Sequence, residues 1–172
     1  GLGDVYKRQQ LIARRVRAFG VSAELVPYDT GLPKLKKSHG IILSGGPASV
    51  YAKGAPKVNK KIYDLGIPVL GVCYGMQLMA HQLGGLVEKA EKKEYGPAFL
   101  KINSKSDKFF QGIPARTKVW MSHGDYVTKL PKGFVHSART DNSPDAAIAH
   151  RQKKLYGIQF HPEVEHTVKG MK

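Results

Sequence analysis

Cys73, the only cysteine of the chain, stands in the stretch VLGVCYGMQLM at residues 69–79. Four apolar or small residues run into it, a glycine follows two places later, and a helical pattern then begins. That spacing places a thiol on the corner between a buried strand and a helix. Such a corner holds a side chain out at the carboxyl end of a sheet, where open α/β folds bind ligands. It also sits at a helix N-terminus, whose partial positive charge favours thiolate over thiol. The glycines suit the strained turn of a nucleophile elbow. A lone cysteine is otherwise a small buried hydrophobe, so the catalytic reading needs a base.

His161, in YGIQFHPEVEH, has the best context among the seven histidines. It directly follows a strand-like run, Pro162 stiffens the exit, and Glu163 stands two residues on. A carboxylate there can hold the imidazole in one tautomer. Cys73, His161 and Glu163 in that order supply nucleophile, base and orienter. A surface histidine with an accidental acidic neighbour is the alternative, and the elbow at Cys73 tips the choice to the triad. Attack on a carbonyl also needs donors for the oxyanion. SGGPASV (residues 44–50) follows the strand-like GIIL, and its glycines let backbone N–H groups approach a substrate closely. The Tyr74 N–H, one residue past the nucleophile, is the second donor. Neither GK[ST] nor GxGxxG is present, which argues against a nucleotide cradle.

Those residues need elements to hold them. QLIARRVRAFG puts Leu11, Ile12, Val16 and Phe19 on one helical face, with Gly20 as a stop. SAELVPY reads as a short strand, GIILS (40–44) as a buried strand, APKVNKKIYDLG as a helix, IPVLGV (67–72) as a buried strand and YGMQLMAHQLGG as an amphipathic helix. This alternation argues a mostly parallel sheet with helices on both faces. AFLKIN, KVWMSHGDYV, FVHSART, AAIAH and LYGIQF are strand-like and separated by turn chemistry, so an antiparallel or mixed β portion follows. The fold class is therefore α/β, in one domain of 172 residues.

Composition narrows the classes. No apolar run is long enough to span a membrane, and no secretory pattern opens the sequence. One cysteine makes no internal disulfide, so a reducing cytoplasm is the default setting. Lys and Arg total 28 against 13 acidic residues, a net charge of +15. A polyanion partner would explain that excess, but the basic residues are scattered and not interleaved with aromatics, which favours a solvated surface and no nucleic-acid partner. If the excess serves docking, some of Lys89, Lys92, Lys93 and Arg116 are expected on the rim around Cys73. Residues 1–9, GLGDVYKRQ, are polar where a parallel α/β domain needs its first strand. They are read as a leader foreign to the fold, with the first core strand missing and the domain running over 10–172.

SGGP, GVCYGMQ, WMSHGD and YGIQFHPEVEHT together resemble the class I glutamine amidotransferases, and within them the glutaminase domain of bacterial GMP synthetases. The likeness runs from about Gln10 to the end of the chain, and departs where VYKRQQ replaces the family's strand-ending FGSQYTQ-like segment. The family has a flavodoxin-like α/β fold. The resemblance implies that Cys73 attacks the side-chain amide of glutamine, His161 relays the proton to ammonia, and Glu163 orients His161. It implies an oxyanion hole from the Gly46 and Tyr74 N–H groups, and substrate contacts from Gln77 and from Ser122, His123, Gly124 and Asp125. His123 is otherwise read as a structural hydrogen-bonding residue. No metal or cofactor is implied for this domain. ATP and magnesium belong to an ATP-pyrophosphatase synthetase domain, absent from this chain and joined to it in cis or in trans, which would aminate XMP in a homodimeric whole protein. The rival readings are another hydrolase of this fold, such as a γ-glutamyl hydrolase or a glutaminase of another pathway, and a basic binding module without thiol chemistry.

Overall fold

A computed structural model of the chain describes residues 2–103 and 108–170. Among these the strands are β1 (Ile41–Leu43), β2 (Val69–Val72), β3 (Leu86–Ile102), β4 (Arg116–Lys129), β5 (Val135–Arg139), β6 (Ala147–His150) and β7 (Leu155–Ile158). They form one seven-stranded sheet in the order β1-β2-β7-β6-β5-β3-β4. The joins β1–β2 and β2–β7 are parallel, and every later join is antiparallel. The helices are α1 (Leu2–Ala18), a single turn α2 (Leu32–Leu35) and α3 (Tyr74–Gln82).

The sheet is thus α/β and mixed, as the change of character along the sequence implied. The short branched run VLGV is a mostly buried strand between β1 and β7, while IIL, at the end of the sheet and paired with β2, is half-buried with Ile42 exposed. Helix α3 differs from its expected amphipathic form. Seven of its nine residues are buried, from Tyr74 to Ala80, so it is enclosed nearly all round. Met76, Leu78 and Met79 join Val69, Tyr63 and Leu155 in one apolar cluster, while Val72, Cys73, Ile158 and Phe160 join Leu100, Val119 and Met121 in a second. Cys73 therefore stands where α3 crosses between the two.

Three expected elements changed. SAELVPY is irregular and unpaired, with Leu25, Val26 and Tyr28 exposed. It has no neighbouring strand to complete its hydrogen bonds, and an extended segment without a ladder is not a strand. The helix expected over APKVNKKIYDLG shrinks to a 3-10 turn at Lys60–Asp64. The Asn59 side chain accepts from the Lys61 N–H at 3.0 Å, so the helical start comes well after the segment begins. Helix α1, expected from Gln10, runs unbroken across the boundary drawn after residue 9 and ends at Ala18, with Gly20 at φ 74° just beyond. Phe19 lies past that end and is 61% exposed, so the apolar face of α1 stops at Val16.

Candidate active site

Cys73 lies at the junction of β2 and α3 with φ 53° and ψ −109°, a backbone state that costs an L-residue energy and persists only where the surroundings impose it. The surroundings here are specific. The Cys73 N–H donates to the Ile158 carbonyl at 2.7 Å, which continues the β2–β7 ladder into the elbow. A Cβ on Gly75 would fall 2.1 Å from the Leu43 carbonyl oxygen, and one on Gly71 would fall 2.5 Å from the Met76 nitrogen. Only glycines let α3 start this close to β1 and β2, and that closeness forces the turn.

His161 follows β7. Its N–H donates to the Trp120 carbonyl of β4 at 3.0 Å, and its own carbonyl accepts from Thr167 Oγ1 at 2.6 Å. Those bonds fix the loop that carries the ring. Its Nδ1 lies 2.8 Å from Glu163 Oε1, with the two side chains 1% and 2% exposed. Burial opposes charge on the ring, but hydrogen bonds and Coulomb attraction from Cys73 and Glu163 outweigh it and push the imidazole up to about 9. The structure thus brings Cys73, His161 and Glu163 together at the carboxyl end of the parallel strands, with the imidazole between sulfur and carboxylate. Glu163 Oε2 is buried with no partner, so the ring is the only compensation found for that carboxylate among the described residues.

The glycine turn after β1 closes against this pair. A Cβ on Gly45 would sit 3.2 Å from His161 Cε1 and 3.5 Å from Cys73 Cβ, and one on Gly46 would sit 3.6 Å from the Tyr74 ring. The far part of the same turn holds Asp125, whose carboxylate accepts from Ser49 Oγ and, at 3.0 Å, from Tyr51 OH. Ser122 presents its carbonyl to Cys73 Sγ at 3.7 Å. His123 is 5% exposed, with Nδ1 2.9 Å from the Asp125 carbonyl and Nε2 3.2 Å from Glu94 Oε2. Both its nitrogens are engaged within the protein, which fits a structural role. The aliphatic stem of Lys93 lies against Gly124. Gln77 is buried, and its Nε2 donates to the Asp125 carbonyl at 2.8 Å and to Gln159 Oε1 at 3.1 Å.

Arg8 and Arg15 reach the triad from α1. Arg8 Nη1 lies 3.4 Å from His161 Nε2 and Nη2 lies 3.5 Å from Ser122 Oγ, while Arg15 Nε donates to the Glu163 carbonyl at 3.2 Å. An imidazolium has no lone pair to accept with, so the long Arg8 approach is a bond only to the neutral ring, and the shorter buried Glu163 bond governs its charge. Neither arginine stands out in the sequence, because nothing local marks a side chain that acts across the fold. Gln159 and Glu94 escape notice there for the same reason. Of the basic residues expected on the rim, Lys89 pairs with Asp125 in the β3–β4 register and Lys93 covers Gly124. Arg116 does not lie there. It pairs with Lys101 at the opposite end of β4 and stacks over Phe99 at 3.8 Å, because β4 is fully extended between Arg116 and Ser122. An open cavity of about 450 Å³ lined by Lys101, Asn103, His136 and Arg139 lies at that same far end and holds no member of the triad.

A family model described as glutamine amidotransferase class-I matches residues 2–172. The chain belongs to that family. It is 59% identical over 163 residues to a glutamine-hydrolysing GMP synthase of Aquifex aeolicus and 54% identical over 166 residues to one of Wolinella succinogenes. In each case the match takes in 94% of this chain and 32% of the relative, so the chain spans about a third of the length of the curated relatives it matches. Among solved structures, a Thermoplasma acidophilum protein described as a candidate component of a GMP synthase superposes with a TM-score of 0.88 at 33% identity, over 95% of this chain and 82% of that one. A glutamine amidotransferase of Thermotoga maritima gives 0.77 at 25% identity, over 90% of this chain and 70% of that one. Among the described residues no helix is long and apolar enough to cross a membrane.

Proposed function

We propose that this class-I amidotransferase chain is the glutamine-hydrolysing part of a GMP synthase. The observation that carries the reading is a thiol on a strained elbow beside an imidazole that a buried carboxylate holds at 2.8 Å. Cys73 thiolate attacks the side-chain carbonyl carbon of glutamine. The Gly46 and Tyr74 N–H groups receive the negative oxygen, at the turn after β1 and the first residue of α3. The tetrahedral intermediate collapses, the C–N bond breaks, and the His161 imidazolium gives its proton to the departing ammonia. The neutral ring then takes a proton from water, which attacks the γ-glutamyl thioester. Glutamate leaves and Cys73 is restored as thiolate beside the recharged ring. The Gln77 donors are spent on protein acceptors, so it offers a substrate its Oε1 alone. The 122–125 segment, tied to the glycine turn through Asp125, is placed to close over the amino-acid end of glutamine.

The ammonia is then consumed by a synthetase part, in the same chain or a separate one, that uses ATP and magnesium to aminate XMP in the cytoplasm. Names and identities of the relatives support this second half. The test is glutamate release from glutamine by the chain, alone and with a bacterial GMP-synthetase ATP-pyrophosphatase part, ATP and XMP. Glutamate release that Cys73→Ala abolishes, with GMP formed when the second part is present, is the expected result. Hydrolysis without any GMP would leave a glutaminase of another pathway. Release of glutamate from γ-glutamyl peptides in place of glutamine would make the chain a γ-glutamyl hydrolase.

A further inference from the structure

A chain of hydrogen-bonded amides links Cys73 to a buried carboxylate on β3, and its polarity can be read from one fixed point. The Asp125 main-chain oxygen can only accept. Gln77 must therefore turn its nitrogen to it, as the 2.8 Å contact shows. The second hydrogen on that nitrogen points to Gln159 at 3.1 Å, so Gln159 must present its oxygen there. Gln159, fully buried, is left with its nitrogen toward Cys73 Sγ at 3.6 Å. The sulfur thus faces an N–H donor on one side and the Ser122 carbonyl, an acceptor, at 3.7 Å on another. A thiol can donate to the carbonyl, and a thiolate can accept from Gln159.

The fixed point is itself held. His123 Nδ1 contacts the same Asp125 oxygen at 2.9 Å, and its Nε2 faces Glu94 Oε2 at 3.2 Å. Glu94 accepts further from Thr140 Oγ1 at 2.9 Å and Ser143 Oγ at 2.8 Å. Burial opposes its charge, but the hydrogen bonds from His123, Ser143 and Thr140 outweigh it and hold its carboxyl below the usual range. The register allows this contact only because β3 bulges between Lys89 and Glu94, which sets Glu94 opposite His123.

We infer that Gln159 is a catalytic residue that donates a hydrogen bond to the Cys73 thiolate, and that Gln77, His123 and Glu94 are positioning residues that fix the direction of its amide. The inference rests on the glutaminase reading for its role in turnover, but not for its effect on the thiol. The titratable group facing Cys73 is His161, with Glu163 behind it and Arg8 over its far nitrogen; Gln77→Met and Glu94→Gln alter none of these and bring no charge to the sulfur, whereas Gln159→Glu also sets a carboxyl beside it, so Gln77→Met separates loss of the donor from added charge.

The test measures the rate of Cys73 alkylation by iodoacetamide against pH, beside glutamine turnover, in the full chain. Gln159→Glu keeps the size and removes the donor. Its alkylation at neutral pH is expected to fall about tenfold, the scale of one hydrogen bond to an ion, with the midpoint moved to higher pH. Gln77→Met cuts the relay one step earlier and is expected to lower alkylation about threefold, with kcat reduced and KM for glutamine less affected. Glu94→Gln should give a smaller change of the same sign. If Gln159→Glu does not fold, Gln77→Met carries the test. A folded Gln77→Met or Gln159→Glu protein with an unchanged alkylation profile overturns the inference. A shifted profile in a chain that never hydrolyses glutamine overturns the glutaminase reading and leaves the relay standing.

Discussion

Seven of the nine residues of helix α3 are buried, whereas helix α1, nearly twice as long, buries only Ala13 among its described side chains. Both reach the triad. α3 does so through its backbone, pressed against β1 and β2 at glycines that tolerate no Cβ. α1 does so through the tips of Arg8 and Arg15, and none of its described side chains belongs to either apolar cluster. A position set by backbone contact is rigid to a few tenths of an ångström, because packed atoms have nowhere to go. A position set by the tips of long cationic side chains is soft, because ordering two such chains costs entropy that long, part-buried contacts offset only in part. Cys73, the proposed nucleophile, is on the first kind of element, which suits a group that must meet a substrate carbon at one place.

Breaking the rigid side should have the largest effect. Gly75→Ala puts a Cβ 2.1 Å from a main-chain oxygen that cannot yield. A loss of about 3 kcal/mol or more is expected, read from the urea midpoint, together with loss of Cys73 reactivity in whatever remains folded. Ordinary stability and an intact elbow in that variant would mean that α3 is no better fixed than α1.

The triad itself gives the next effect. The His161 pKa is higher folded than unfolded, about 9 against 6.5. Its contribution to stability is therefore complete below about pH 6.5, and is lost as pH rises through about 9. Glu163→Gln removes one support of the charged ring. It should destabilise by about 1–3 kcal/mol near pH 6, with the difference from the parent chain shrinking as pH rises toward 9. A penalty that is flat across that window would mean that His161 is not the partner of the Glu163 charge.

The soft side should give the smallest change. Arg8→Ala removes two contacts of 3.4 and 3.5 Å at the triad edge. Thermal unfolding should report a change within about 0.5 kcal/mol, typical of a surface substitution. A larger loss would show that α1 is anchored by more than its arginine tips, and would erase the contrast with α3.

Period and turn chemistry make most strands and the α3 boundary visible in the sequence, because both are local. The same locality explains where the sequence misleads. SAELVPY has a strand's composition but no ladder to join, and the Lys60–Asp64 turn reads as a longer helix because apolar period alone hides the Asn59 cap. Cys73, His161 and Glu163 are visible because each sits at a strand end or beside its partner. Gln159 is not, although it lies two residues before His161, because a glutamine in a strand-like run looks like an ordinary polar position until its neighbours are known.

The sequence by itself made the elbow possible, since Gly71 and Gly75 carry no Cβ to block a close turn around Cys73, and it put His161 and Glu163 two residues apart, within reach of each other. Only the tertiary structure decided the direction of the Gln77–Gln159 amides, the reach of Arg8 to His161 and the burial of Glu94 beneath His123. Those depend on strand order, on the β3 bulge and on which lone pairs remain open. Residues such as Gln159 and Cys73 lie 86 positions apart, and no local rule of chain geometry acts over that distance.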